Sequence, residues 1–132
     1  MDVIFGACRC GAVKFEFDPP SRFCVHCHCE SCRRSHGAAF VTWIGAYAER
    51  FRILAGRNVL RRYTSPRGAT RSFCSTCGSM MFFESPAWPG EVHVARSHVL
   101  GTTDRMPTAH VNYRERAPWI QIQDELHKLE RV

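Results

Sequence analysis

The sequence has no long hydrophobic run, because no stretch approaches the roughly 18 consecutive apolar residues of a transmembrane helix. Its first residues carry an acid in place of the basic cluster that opens a signal peptide, and their apolar run is too short for such a peptide. From these absences we expect no membrane partner and a cytoplasmic location.

Lysine is scarce, with two residues among the 18 basic side chains, and the other 16 are arginines scattered along the chain. The sequence contains no basic stripe interleaved with aromatic residues, so we expect no nucleic-acid partner. Arginine suits planar anions, both carboxylates and phosphates. The composition therefore gives little support to a nucleic-acid partner.

Linkers are also lacking, since no composition shift, repeat or low-complexity tract divides the 132 residues. We therefore predict a single domain over residues 1–132.

Cysteine, in contrast, is abundant, with eight residues that come in tight clusters. In a reducing compartment such clusters indicate metal ligation or catalysis, whereas a secreted protein would use them for disulfides.

Short alternating segments predict a mainly β fold. Val13, Phe15 and Phe17 alternate with polar residues, which is typical of a half-buried strand. Other strands are predicted at residues 40–44, 51–54, 60–63, 80–83, 92–94, 110–113 and 119–122, with Gly45 and Gly56 as strand ends. Phe82 and Phe83 cannot both face inward on one strand, so one of them should line a pocket or an interface.

Helix is predicted at only two places. A short turn is expected through Arg33 and Arg34, ending at Gly37, and a second helical segment is expected over residues 124–129. The remaining chain is strand and turn.

Two cysteine pairs, each followed directly by a glycine, predict a closed zinc site. The short spacing between the two cysteines of a pair lets one loop present two sulfurs to a single ion. Two such loops complete a tetrahedron. The alternatives are four buried free cysteines, or a redox-active pair in the second motif. The pairs are Cys8 and Cys10, before Gly11, and Cys74 and Cys77, before Gly78.

The densest cysteine run predicts a second zinc site. Cys27, Cys29 and Cys32 can converge on one metal from a single loop, and three thiolates leave a fourth position for water or substrate. A thiolate-rich zinc is soft enough to bind a substrate sulfur as thiolate, so thiol-dependent chemistry is the natural inference. The alternative is a structural site in which Cys24, His26 or His28 supplies a fourth ligand.

Ligation would also change the charge of the protein. The formal charge is +6, but seven thiolates and two Zn²⁺ would bring it to about +3.

Basic residues close to the second site are candidates for substrate contacts. Arg33 or Arg34 could bind a carboxylate with two hydrogen bonds, or could belong to a solvated helix face. His28 and His36 could carry protons near the metal, or need no such role. For His110 and His93 a structural role is the better hypothesis.

Four segments in this order resemble the glutathione-dependent formaldehyde-activating enzyme (GFA) family. They are GACRCGAVKFEF, CHCESCRRSHGAAF, FCSTCGSMMFF and the stretch from His110 to APW, which together span about residues 6–119. The resemblance implies an Mss4-like fold of several small coiled antiparallel sheets organised around zinc. It implies a structural zinc on the two cysteine pairs and a catalytic zinc on the three-cysteine motif. Cys24 and His36 fall outside the family pattern.

The resemblance also implies an activity. The family adds the thiol of glutathione to formaldehyde, giving S-hydroxymethylglutathione, so we expect a zinc-dependent carbon–sulfur lyase with a small thiol and a small aldehyde as partners. The rival hypotheses are a non-catalytic zinc-stabilised binding module and a thiol or metal sensor. The sequence leaves open the actual substrates, full or partial occupancy of the second zinc, a homodimer, and the arginine that contacts substrate.

Overall fold

Alternating and apolar segments form two β-sheets in a computed structural model that describes residues 2–132. The mainly β prediction is confirmed. The strands are β1 (Ile4–Ala7), β2 (Lys14–Phe17), β3 (Cys24–Cys27), β4 (Val41–Tyr47), β5 (Phe51–Ala55), β6 (Leu60–Thr64), β7 (Thr70–Cys74), β8 (Met80–Glu84), β9 (Glu91–Ala95), β10 (Val99–Leu100), β11 (Ala109–Val111) and β12 (His127–Lys128). Helix α1 spans Glu30–His36, and short 3-10 turns lie at Ala48–Arg50, Arg96–His98 and Tyr113–Glu115.

The smaller sheet has the strand order β10-β1-β2-β5, and the larger has the order β12-β11-β3-β4-β9-β8-β7-β6. Pairing is antiparallel except around β11, which lies parallel to both β3 and β12. This parallel contact brings the C-terminal part of the chain beside β3, which carries the start of the three-cysteine motif.

The main core contains apolar side chains of both sheets. Phe15 and Phe17 of β2 are fully buried, as the alternation predicts, and Met81 and Phe82 of β8 belong to the same cluster. The ring of Phe15 meets the ring of Phe82 edge-on at 5.1 Å between centroids, a favourable aromatic geometry. A second, smaller core cluster lies against α1 and includes Trp43.

Helix α1 contains the predicted turn through Arg33 and Arg34 and ends at Gly37 as predicted, but it begins earlier, at Glu30. The sulfur of Cys29 accepts a hydrogen bond from the backbone N–H of Cys32 at the N-terminus, and Gly37 ends the helix in the left-handed conformation. The helix is short, with seven residues, so packing of its buried Cys32 face must stabilise it.

The helix predicted at residues 124–129 is wrong. Residues His127–Lys128 form β12, and the backbone of Leu129 exchanges hydrogen bonds with His110 and Tyr113. The Asp124–Lys128 pair does have helical spacing. An isolated turn is weak in water, however, whereas the open edge of β11 offers backbone partners.

Two further strand predictions differ from the structure. Residues 119–122 form no strand, and the Trp119 side chain is largely exposed. Strand β4 does not end at Gly45 but runs through it to Tyr47. A Cβ atom at Gly45 would overlap the ring of Phe23, so glycine here permits close packing and does not end the strand.

None of the helices in residues 2–132 is long and apolar enough to cross a membrane.

We expect Gly45→Ala to lower the free energy of unfolding by about 1–3 kcal/mol, because its methyl group overpacks the site of the Phe23 ring. Urea denaturation followed by circular dichroism measures this loss. In a Phe23→Ala background the same substitution should cost clearly less, since the ring is gone. Equal costs in the two backgrounds would contradict the packing explanation.

Candidate metal centres

The two cysteine pairs meet between the sheets. Cys8 and Cys10 lie in the connection from β1 to β2, and Cys74 and Cys77 lie where β7 turns into β8. All four Sγ atoms lie within 4.8 Å of one another. The structure therefore brings together the four residues that the sequence predicts for the closed site.

The spacing of these sulfurs fits a tetrahedral metal. A tetrahedron with Zn–S bonds of about 2.3 Å has sulfur–sulfur edges of about 3.8 Å. The Sγ of Cys10 lies 3.6 Å from that of Cys8 and 3.9 Å from that of Cys74. The donor set and its spacing therefore fit a thiophilic ion.

The local backbone explains why glycine follows each pair. Gly11 and Gly78 have φ values of 83° and 79°, which other residues rarely adopt.

Polar groups also stabilise the sulfurs as thiolates. The backbone N–H of Val13 donates to Cys8 Sγ over 3.2 Å, and a hydrogen bond from Ser79 lowers the pKa of Cys77 to about 5.

The second cluster comes from one short stretch of chain. Cys27 ends β3, Cys29 caps α1 and Cys32 lies in the first turns of that helix. Their Sγ atoms also lie within 4.8 Å of one another. The strand-to-helix turn is what brings the three sulfurs to one point.

Each sulfur of this three-cysteine cluster accepts a hydrogen bond from an N–H group. Asn112 Nδ2 donates to Cys27 over 3.4 Å, and the N–H of Cys32 donates to Cys29 over 3.3 Å. The Arg71 guanidinium donates to Cys32 over 3.6 Å. Donors of this kind stabilise thiolates and orient them, as outer partners of metal ligands commonly do.

The three thiols strongly perturb one another. Hydrogen bonds from Cys27 and Cys29, together with the charge of Arg71, lower the pKa of Cys32 to about 2. Hydrogen bonding to Cys29 and Cys32, with burial, raises the pKa of Cys27. The ionisations of the three thiols are therefore coupled, and a bound cation would favour all three thiolates.

The alternative fourth ligands lie elsewhere. Cys24 is fully buried in the main core, and burial raises its pKa to about 11. His26 bonds Thr42 through Nδ1 over 2.8 Å. Among residues 2–132, no cysteine, histidine, aspartate or glutamate besides Cys27, Cys29 and Cys32 belongs to this cluster.

His28 belongs to a buried chain of hydrogen bonds behind the cluster. Its Nε2 lies 2.7 Å from Nδ1 of His110, whose Nε2 lies 2.8 Å from a carboxylate oxygen of Asp124. Asp124 can only accept, so His110 donates to it and accepts from His28. Burial lowers the pKa of His28 to about 4, so its ring is neutral. The structural role expected for His110 agrees with this chain.

The two arginines next to the motif face away from the sulfurs. Arg33 donates to the carbonyl oxygen of His28 and lies over the exposed ring of Trp119. Arg34 is 80% exposed and pairs with Glu30. His36 packs edge-on against Trp43, and burial lowers its pKa to about 4.

A cavity of about 400 Å³ opens above the three-cysteine cluster, and all three cysteines line it. Phe83 lines the cavity while Phe82 lies in the core, so the expectation of opposite-facing neighbours is confirmed. Arg67 and Arg71 line the cavity, whereas Arg33 and Arg34 do not. The arginines that reach the site therefore come from β7 and the loop before it, not from the motif.

Sequence reasoning missed Asn112 and Arg71. Asn112 has a φ of 53°, a conformation that asparagine tolerates better than most residues. Its position two residues after His110 is a signal that could have drawn attention to it. For Arg71, no local signal distinguishes it from the other 15 arginines.

These features define a small β protein with two cysteine clusters able to hold metal, one closed by four sulfurs and one facing a cavity. Residues 3–116 match the family model described as glutathione-dependent formaldehyde-activating enzyme. The chain belongs to this family, as the resemblance predicts.

Two known proteins are similar to this chain, one in sequence and one in structure. A curated relative from Halomonas elongata, named "Putative glutathione-dependent formaldehyde-activating enzyme", is 26% identical over 125 residues, which cover 89% of this chain and 80% of the relative. The crystal structure of a Rhodobacter sphaeroides protein superposes with a TM-score of 0.64 at 29% identity, covering 76% of this chain and 91% of that one.

We expect Cys74→Ser to leave the protein largely unfolded or insoluble, because it removes one of four sulfurs that join the two sheets. Circular dichroism and the metal content of the soluble fraction test this. The matched control is Cys24→Ala, a buried cysteine outside both clusters, which should cost only about 1 kcal/mol. A soluble, fully folded Cys74→Ser protein would contradict a structural metal.

We expect His110→Ala to lower the free energy of unfolding by about 1–3 kcal/mol, since it leaves the buried Nε2–H of His28 without its acceptor. Urea denaturation measures the change. Asp124→Asn keeps a carbonyl acceptor for His110 and should cost less. A His110→Ala protein as stable as the wild type would show that the chain of hydrogen bonds contributes nothing.

Proposed function

We propose that this chain is a zinc-dependent carbon–sulfur lyase that adds the thiol of glutathione to formaldehyde or another small aldehyde. The observation that carries the proposal is the convergence of three cysteine sulfurs on a cavity. A catalytic zinc characteristically has three protein ligands and one position for water or substrate.

In this proposal Cys8, Cys10, Cys74 and Cys77 hold a structural zinc, and Cys27, Cys29 and Cys32 hold the catalytic one. The bound ion would supply a Lewis acid that lowers the pKa of a thiol or polarises a carbonyl oxygen. Partial occupancy of the second site is compatible with its three-ligand set.

The protein's own residues hold the site in shape. Asn112 and Arg71 fix the orientation of two of the three sulfurs through their hydrogen bonds. The aromatic wall of the cavity, which includes Trp43 and Phe83, gives the reacting groups an apolar surrounding. In the overall reaction one carbon–sulfur bond forms and the thiol proton ends on the former carbonyl oxygen. Because this addition is facile in solution, holding the two reactants together is the main task of the protein.

The location and partners follow from the same chemistry. No disulfide joins any of the eight cysteines, which is typical of a protein in a reducing compartment. We therefore propose a cytoplasmic location, glutathione and a small aldehyde as partners, and a single domain over residues 1–132.

The test is calorimetric binding of reduced glutathione to fully zinc-loaded protein, with S-methylglutathione as the ligand that cannot offer a thiolate. We expect binding only of the free thiol. Cys27→Ala should weaken it by about 100-fold or more, because losing even an outer partner of a metal ligand costs about 10–100-fold. Formation of S-hydroxymethylglutathione would then be measured with formaldehyde.

The rival hypothesis is a non-catalytic zinc-stabilised module or a thiol sensor. If the Cys27→Ala protein unfolds, the second cluster is structural and the module is favoured. If the variant folds and neither glutathione nor its S-methyl form binds the wild type, the glutathione reaction is contradicted.

A further inference from the structure

The wall of the cavity is more apolar than the proposed substrates require. Its aromatic residues are Phe23, Trp43, Tyr63, Phe83 and Trp88, and none of its described lining residues is acidic. Formaldehyde has no apolar body to fill a volume of about 400 Å³. The wall therefore favours a thiol or aldehyde partner that carries an apolar body.

Arg71 is the charged group closest to the sulfurs. It lies on β7, between Tyr63 of β6 and Phe83 of β8 in the sheet register. Its guanidinium carbon is 5.0 Å from the centre of the Phe83 ring, within the range of a cation–π contact. One of its terminal nitrogens, NH2, donates to Cys32 Sγ over 3.6 Å. Both contacts hold the guanidinium at the edge of the cavity.

The other terminal nitrogen of Arg71, NH1, is buried and has no hydrogen-bond partner within residues 2–132. The acids on neighbouring strands are occupied elsewhere, since Glu84 pairs with Arg62 and Glu91 with His93. A buried guanidinium donor without an acceptor is unfavourable, and arginine cannot lose its charge to relieve this. An anion in the cavity would satisfy it.

We propose that the cavity binds a carboxylate-bearing substrate with a flat apolar body. The carboxylate pairs with Arg71, and the apolar body packs against Trp43, Phe83 and Trp88. This inference rests on the proposed function and deepens it, because the thiol or carbonyl group of the same molecule would lie at Cys27, Cys29 and Cys32. A carboxylate matches the two-pronged donor geometry of arginine, and stacked rings favour a flat body.

The alternative to binding a substrate carboxylate is that Arg71 only balances the charge of the three-cysteine cluster. Three thiolates and one divalent cation carry a net charge of about −1, which a single guanidinium would balance. That role uses only the nitrogen that faces Cys32 and leaves NH1 without an acceptor. The two roles predict different ligand preferences, so binding experiments separate them.

The first experiment compares three probes by calorimetry on zinc-loaded protein. The first probe, 2-naphthoate, has both a flat apolar body and a carboxylate. The second, 2-naphthalenemethanol, has the flat body without the carboxylate, and the third, acetate, has the carboxylate without the flat body. We expect 2-naphthoate to bind at least about tenfold tighter than either of the others, as a charge-assisted hydrogen bond would give. Equal binding of 2-naphthoate and 2-naphthalenemethanol would overturn the proposal.

The second experiment tests Arg71 directly. Arg71→Met should abolish the preference for 2-naphthoate over 2-naphthalenemethanol while retaining zinc. The matched control is Arg34→Met, which removes an exposed arginine outside the cavity and should leave the preference unchanged. If Arg71→Met does not fold, Arg71→Lys is used in its place. This variant keeps the charge but loses the paired donors, so it should reduce the preference for 2-naphthoate severalfold. A preference that is unchanged from the wild type in the folded variant overturns the proposal.

These results are separable from those for the proposed function. Arg71-dependent binding of 2-naphthoate without any glutathione binding would support the inference and contradict glutathione as the thiol. Cys27-dependent glutathione binding without a preference for 2-naphthoate would support the proposed function and contradict the inference.

Discussion

The fold depends on one cluster of four sulfurs that joins its two sheets. Cys8 and Cys10 come from the smaller sheet, and Cys74 and Cys77 come from the larger one. The sulfurs of Cys10 and Cys74 are neighbours although 64 residues separate them in sequence. A covalent link over such a span would remove about 4 kcal/mol of chain entropy from the unfolded state, and a metal held by all four sulfurs acts in the same way. Aromatic packing of Phe15 on Phe82 then completes the contact between the sheets.

The two cysteine clusters have the same ligand atoms but different surroundings. In the first, two tight turns with left-handed glycines close four sulfurs around one point. In the second, a strand-to-helix turn supplies only three, and Asn112 and Arg71 reach them from distant parts of the chain. The first arrangement favours stability, because its coordination is complete. The second favours chemistry, because its sulfurs face a cavity.

Local patterns made much of this predictable from the sequence. Alternation located β2, and the cysteine spacing predicted which cysteines lie together in each of the two clusters. What could not be predicted depends on contacts between distant residues. Asn112 and Cys27 are 85 residues apart, and Arg71 and Cys32 are 39 apart. The error at residues 124–129 has the same origin, because a helical charge pattern gave way to backbone pairing with β11.

Strand β7 connects the stability of the fold to the chemistry of the cavity. Successive side chains of a strand face opposite sides, so Arg71 lines the cavity while Ser72 and Cys74 are buried on the other face. The pairing of β7 with β8 shifts its register between Ser72 and Phe73, where Met81 is an extra residue on β8. The closed cluster therefore holds the far end of the strand that positions Arg71 beside Cys32. Movement at Cys74 would shift the guanidinium relative to the three sulfurs, so a metal held by the closed cluster would also influence the geometry of the three-cysteine cluster.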